Sequence, residues 1–109
     1  MHKDEIPPGT LCLLILKALA RSDELHGYEI ANWIAQVSDD VLQVEEGSLY
    51  PALQRMLIRG WVTAKWGVTA GNRRARYYRL TPLGRKQLEV EVSQFERVMQ
   101  AIARAIQTA

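Results

Sequence analysis

Residues 45–61 read EEGSLYPALQRMLIRGW, and this stretch decides the fold. One apolar stripe recurs at helical spacing: Leu49, Leu53, Met56 and Leu57. Gly60 follows at the position that favours a left-handed residue, so it ends the predicted helix. The opposite face is polar and carries no carboxylate. Because such a face can exchange hydrogen bonds and neutralise phosphate, the stretch predicts a DNA recognition helix that begins near Ser48.

Charge is distributed unevenly along the chain. Residues 47–88 contain nine Lys and Arg residues and no Asp or Glu, whereas the first 46 residues hold nine of the twelve acidic residues. A solvated surface ordinarily mixes both signs, so a long segment without acid favours a polyanionic partner. The alternative is a basic face that serves only solubility.

Two helices are predicted before this one. Residues 10–21, with Thr10 as the expected N-cap, are apolar on nearly every side, which indicates a helix buried on more than one side. A second helix is expected from His26 or Gly27 to Val37, followed by a very short strand at residues 41–44. Two short helices joined by a connector, the second with a cationic outer face, form a helix-turn-helix pattern.

A β-hairpin is predicted directly after the recognition helix. Residues 62–68 and 75–80 have the β-branched and aromatic composition of strands, and turn-forming residues separate them. Three arginines lie at the hairpin tip: Arg73, Arg74 and Arg76. A basic hairpin in this position is typical of a winged helix-turn-helix, whose tip reaches an adjacent groove or the DNA backbone. Solubility is the alternative role of these arginines.

The last predicted helix starts at Thr81-Pro82, an N-cap followed by proline, and runs close to the end of the chain. Its apolar residues form a heptad seam: Leu88, Val92, Phe95, Met99, Ile102 and Ile106. We expect this seam to form a two-fold dimer interface together with the first helix, through Leu11, Leu14 and Ile15. The alternative is a helix folded back across its own domain.

These elements predict a mainly α fold with a small β-hairpin, a winged helix-turn-helix plus a long C-terminal dimerisation helix. The expected divisions are a mobile head at residues 1–9, a DNA-binding domain at 10–80 and the dimerisation helix at 81–109.

No signal peptide or membrane span is visible, which favours the cytoplasm. One Cys and two distant His residues predict no metal site, and no catalytic constellation or cofactor motif is apparent. We therefore do not expect an enzyme.

Three motifs, HGYEI at 26–30, GSLYPAL at 47–53 and ARYYRLTPLG at 75–84, resemble the PadR family of bacterial transcriptional regulators. The resemblance extends over nearly the whole chain and is to the short form of the family, which has a single C-terminal helix. It implies a homodimer, usually a repressor, that binds double-stranded DNA at near-palindromic operators. The DNA contacts that it implies fall on Tyr28, Ser48, Tyr50, Gln54 and Arg55, with Arg73, Arg74 and Arg76 in the wing.

Two questions stay open at this level. Some relatives release DNA when a small aromatic or drug-like molecule binds near the dimer interface, but Trp33, Trp61 and Trp66 lie away from the seam in sequence. A small-molecule effector is therefore neither required nor excluded. The rival function is a winged-helix interaction module that docks an acidic protein partner. The segment without acid and the small polar face of the recognition helix favour DNA.

Overall fold

The part of the chain that the structure describes forms four helices and a three-stranded antiparallel sheet. The structure, a computed structural model, describes Ile6 and residues 9–108. In chain order the elements are α1 (Thr10–Ala20), β1 (Leu25–His26), α2 (Gly27–Val37), α3 (Glu46–Ile58), β2 (Val62–Val68), β3 (Arg74–Leu80) and α4 (Pro82–Gln107). The strand order is β1-β3-β2, so the predicted hairpin is confirmed and gains a third strand at its β3 edge. Within the described part of the chain, no helix has the length and apolar character needed to cross a membrane.

The hydrophobic core lies between α1, α2, α3 and one face of the sheet. The predicted stripe of α3 faces it, with Leu49, Leu53 and Met56 buried and Leu57 partly buried. The other large buried side chains come from the remaining elements: Ile15, Leu16, Leu19, Ile30, Ile34, Val62, Tyr78 and Leu80. Burial of one face of α3 fixes the opposite face toward solvent, where Gln54 and Arg55 are exposed. The helix thus has the inner and outer faces that the sequence predicted.

One residue of the predicted dimer interface belongs to this core instead. Ile15 is fully buried within the single chain, so its side chain has no surface left for a second subunit. Leu11 and Leu14 on the same helix are only partly buried. The error arises because α1 is apolar on almost all sides, and the sequence does not say which side meets the core. The predicted mobile head at residues 1–9 lies outside the described residues, except for Gly9 and for Ile6, which packs against the core.

The junction between α3 and α4 is fixed by local hydrogen bonds. Gly60 has φ 78°, and the amide of Trp61 donates to the carbonyl of Met56 at 3.0 Å, which gives a Schellman motif at the end of α3. Thr81 Oγ1 accepts from the amide of Gly84 at 3.0 Å and donates to the Gly60 carbonyl at 2.7 Å. The predicted cap therefore starts α4 and ties it to the end of α3.

The starts of two helices, α3 and α1, differ from the sequence prediction. Helix α3 begins at Glu46 after an N-cap at Glu45, so Gly47 and Ser48 lie inside its first turn rather than before it. The N-cap of α1 is Gly9 in the left-handed region, and Thr10 is the first helical residue. These shifts place Ser48 on the first turn of the recognition helix, still exposed.

Residues 41–44 do not form the predicted strand. The connector turns through Asp39 and Asp40, which both have positive φ, and the amide of Leu42 donates to Ser38 Oγ at 3.0 Å. These local bonds occupy the backbone that a strand would need, and only Leu42 makes an isolated bridge. The strand that the sheet contains instead is β1, which pairs Leu25 with Tyr78 and His26 with Tyr77.

Gly84→Ala is expected to destabilise the protein. Gly84 is buried in the first turn of α4, where an added Cβ would overlap the carbonyl oxygen of Trp61 and lie 2.7 Å from Leu80 Cδ1. Because the clash is with backbone at a hydrogen-bonded junction, we expect a loss of about 3 kcal/mol in the free energy of unfolding, measured in urea. Gly47→Ala is the matched control, since its added Cβ would have no described atom within 4 Å beyond the neighbouring backbone of its own helix. A Gly84→Ala protein as stable as the control would contradict this packing.

Candidate nucleic-acid interface

A cleft of about 760 Å³ opens between the start of α2, the outer face of α3 and the β2–β3 hairpin. Six of the eight predicted DNA contacts line it: Tyr28, Tyr50, Gln54, Arg73, Arg74 and Arg76. The other two, Ser48 and Arg55, are exposed on α3 but do not line the cleft. Residues from three separate stretches of sequence thus meet on one surface.

Strand alternation decides which arginines of the hairpin face this cleft. The register pairs Trp66 with Arg76 and Val68 with Arg74, so these side chains share one face of the hairpin with Tyr78. Lys65 and Arg79 belong to the opposite face. There Glu24 Oε2 lies 3.5 Å from Lys65 Nζ and 3.6 Å from Arg79 Nη2. The charge count along the sequence could not separate these two sets of basic residues.

The cleft arginines have no acidic partner within the described part of the chain. Among residue 6 and residues 9–108, no carboxylate lies within 4.0 Å of the guanidinium nitrogens of Arg73, Arg74 or Arg76, and the ion pairs found elsewhere involve His26, Lys65 and Arg79. The positive charge on this side of the hairpin is therefore not compensated locally, and it attracts anions to the cleft.

The two tyrosines reach the cleft by different routes. Tyr28 lies in the first turn of α2 and is 75% exposed. Tyr50 lies across the start of α2, so close that a Cβ added to Gly27 would be 2.7 Å from its hydroxyl oxygen. The glycine of the HGYEI motif is thus required for the close approach of α2 and α3. This close approach places the Tyr50 side chain at the edge of the cleft.

His26 has a structural role at the same end of α2. Its Nδ1 accepts from the amide of Glu29 at 3.4 Å, and Glu29 Oε1 accepts from the amide of His26 at 3.0 Å, which forms a capping box. The imidazole also packs edge-on against Tyr77 with ring centroids 5.4 Å apart. These contacts fix the start of α2, and with it Tyr28, relative to the sheet.

Trp66 was not among the predicted DNA contacts. It is 60% exposed, lines the cleft, and has the guanidinium carbon of Arg74 at 4.8 Å from its ring centroid. The available signal was its alternation with the inward-facing Val62 and Ala64 in β2, which places it on the same face. On the same face of the hairpin, burial raises the pKa of Tyr78, and the charge of Arg76 opposes this shift without cancelling it. The Tyr78 hydroxyl is therefore neutral at physiological pH.

A second exposed surface lies along α4. Leu88 packs against the core and Val92 is partly buried, but every residue from 93 to 107 is exposed in the single chain. The remainder of the predicted seam lies in this region: Phe95, Met99, Ile102 and Ile106. The helix thus packs on the rest of its own chain only through its first part. It does not fold back across its domain.

Cys12 faces α4 without a reactive environment. Burial raises the pKa of the Cys12 thiol to about 11, and the carboxylate of Glu91 adds to the shift, whereas Arg59 and Arg55 oppose it. Their effect is outweighed, and the thiol is protonated at neutral pH, unlike that of a nucleophilic cysteine.

Comparison with known proteins agrees with this architecture. A transcriptional regulator from Clostridium thermocellum superposes with a TM-score of 0.80 at 28% identity, over 88% of this chain and 92% of that one. A PadR family transcription regulator from Clostridium difficile gives 0.74 at 26% identity, over 89% and 98% of the two chains. A PadR-like transcriptional regulator from Bacillus cereus gives 0.76 at 26% identity, over 93% and 95%.

Sequence comparison gives the same result. An uncharacterised protein of Lysinibacillus sphaericus is 29% identical over 94% of this chain and 93% of its own length. The sequence model of the PadR-like family of transcriptional regulators matches residues 15–90, which include α2, α3, the hairpin and the start of α4. Since that match covers most of the chain, the protein belongs to the PadR-like family, whose members are transcriptional regulators and not enzymes.

Proposed function

We propose that this protein acts in the cytoplasm as a homodimeric repressor that binds a near-palindromic DNA operator. Each subunit places α3 in the major groove, and its hairpin contacts the adjacent DNA backbone or groove. The observation that carries the proposal is the cleft, where the predicted contacts of α2, α3 and the hairpin meet beside three arginines that have no carboxylate partner among the described residues. Repression follows when the bound dimer blocks access of RNA polymerase to the promoter.

The contact residues divide into two roles. Arg55, Arg73, Arg74 and Arg76 neutralise phosphates and set the orientation of the protein, which adds affinity for any sequence. Gln54 and Ser48 lie on the exposed face of α3, where their side chains can read base edges. The hydroxyls of two tyrosines at the edge of the cleft, Tyr28 and Tyr50, donate to the backbone phosphates beside the groove.

The dimer is proposed from the uncovered part of α4. Phe95, Met99, Ile102 and Ile106 are between 40% and 77% exposed and recur at heptad spacing. Such a seam is satisfied when a second copy packs against it, together with the partly buried Leu11 and Leu14 of α1. The two recognition helices of this dimer would meet half-sites about one DNA turn apart.

We assign no effector. The two tryptophans on the core side of the chain, Trp33 and Trp61, pack against the core cluster, and neither lines the exposed part of the α4 seam. One observation favours the rival function, an acidic protein partner: Tyr28 and Trp66 are exposed aromatic residues of the kind that protein interfaces use. Sequence-specific DNA binding distinguishes the two functions, because a surface that docks an acidic protein is not expected to prefer one DNA sequence over others.

Gln54→Ala is expected to change which DNA sequence is preferred. A glutamine that pairs with a base edge contributes about 1–3 kcal/mol of discrimination, and the dimer loses two such contacts, so the variant should lose roughly 30-fold or more in operator affinity and little on random DNA. Fluorescence anisotropy with the operator and with random duplexes at one salt concentration measures both. Arg55→Ala is the comparison, because loss of a phosphate contact weakens both complexes alike. Equal losses on both duplexes for Gln54→Ala would refute its role in base reading.

A further inference from the structure

The hairpin carries an exposed tryptophan whose role is not explained by the core. We infer that Trp66 is a positioning residue, which holds the guanidinium of Arg74 in place for a DNA phosphate. The inference rests on the proposed function and adds a residue to it. Trp66 is 60% exposed, so burial of the ring in the core does not explain why a tryptophan occupies this position.

The geometry of the pair supports a specific contact. In the β2–β3 register Trp66 is opposite Arg76, which makes Arg74 its diagonal neighbour on the same face of the hairpin. The guanidinium carbon of Arg74 lies 4.8 Å from the centroid of the Trp66 ring, within the range of a cation–π interaction. Both residues line the cleft.

The choice of an aromatic ring as partner has a chemical consequence. A carboxylate, such as Glu24 beside Arg79 on the other face, accepts hydrogen bonds from the guanidinium N–H groups. An indole ring attracts the guanidinium through its π face and offers it no acceptor oxygen, so the guanidinium N–H groups stay available for a phosphate. Arginine also loses much rotamer freedom when it is fixed, and a guanidinium that is already stacked loses less on binding. Trp66 therefore orients the Arg74 side chain and leaves the N–H groups of Arg74 free to donate to a phosphate.

A double-mutant cycle on operator DNA tests this inference. We expect Trp66→Ala and Arg74→Ala each to weaken binding by about tenfold per dimer, and the double variant to be no weaker than Arg74→Ala alone. Trp66→Phe, which keeps an aromatic face, should restore most of the affinity. Arg21→Ala is the matched control, because Arg21 stacks on Trp33 at 5.1 Å but lies outside the cleft. It should leave the affinity unchanged.

A second readout does not depend on DNA. In the free protein, the side-chain Nε–H resonance of Arg74 should show a ring-current shift and restricted motion, both lost in Trp66→Ala and kept in Trp66→Phe. Losses that multiply in the double variant, or an Arg74 signal that Trp66→Ala does not change, would overturn the inference. If the stack is present by NMR but the wild-type protein binds no DNA, the proposed function fails instead. Thermal melts of each variant identify any loss that comes from unfolding.

Discussion

Replacing Arg73 and Arg74 together by alanine is expected to weaken binding to every DNA sequence, by roughly a hundredfold or more at physiological salt. Both side chains line the cleft, and neither has a carboxylate partner among the described residues. Each phosphate contact releases counterions, which lowers log K by about 0.9 for each tenfold rise in salt. A dimer that loses about four such contacts should therefore have a salt slope shallower by about 3.6. Titrations at several salt concentrations measure the slope.

The charge-matched control is the double variant Lys65→Ala with Arg79→Ala. It also removes two positive charges from the hairpin, but from the opposite face, where Glu24 is their partner. We expect its affinity and salt slope to stay close to those of the wild-type protein. If both double variants lost the same affinity, DNA binding would depend on the net charge of the hairpin and not on which face carries that charge. This result would contradict a binding surface confined to the cleft face.

Ile102→Asp is expected to convert the proposed dimer into monomers and to remove most of the operator binding. Ile102 is 44% exposed in the single chain, so a charge there leaves the core of the subunit intact. In a dimer the same position is covered by the partner helix, and an uncompensated buried carboxylate is strongly unfavourable. Light scattering should show the mass fall from twice 12.4 kDa to 12.4 kDa. Operator affinity should fall by about a hundredfold or more, because the two half-sites are then bound independently.

Gln100→Asp is the control for this experiment. Gln100 is also exposed on α4, but it lies outside the heptad seam, so the same new charge should leave the dimer intact. A wild-type protein that is already monomeric, or an Ile102→Asp protein that stays dimeric, would show that the seam does not hold the subunits together.

Features that depend on a few neighbouring residues were predictable from the sequence. Thr81 and Pro82 set the start of α4, and Gly60 sets the end of α3, because caps act within one turn of the helix. The inner stripe of α3 was also correct, since burial follows helical periodicity. These local signals were sufficient to predict the winged helix-turn-helix and its basic hairpin.

Features that depend on distant contacts were not predictable in the same way. Strand β1 has only two residues, Leu25 and His26, and it exists because β3 offers them an edge. The burial of Ile15, the pairing of Glu24 with Arg79 and the stack of Arg74 on Trp66 each depend on packing between elements. The arginines and tyrosines that line the cleft were among the predicted DNA contacts, and the tryptophan beside them was not.

Selection from a random DNA library tests the central claim most directly. The wild-type protein is used to enrich sequences, and the affinity of the enriched duplex is compared with that of a scrambled one at several salt concentrations. We predict an inverted repeat with half-sites about one turn apart, bound at least about a thousandfold more tightly than the scrambled duplex, with a steep salt slope. No enrichment, together with no binding at low salt, would contradict the proposal that this surface binds DNA.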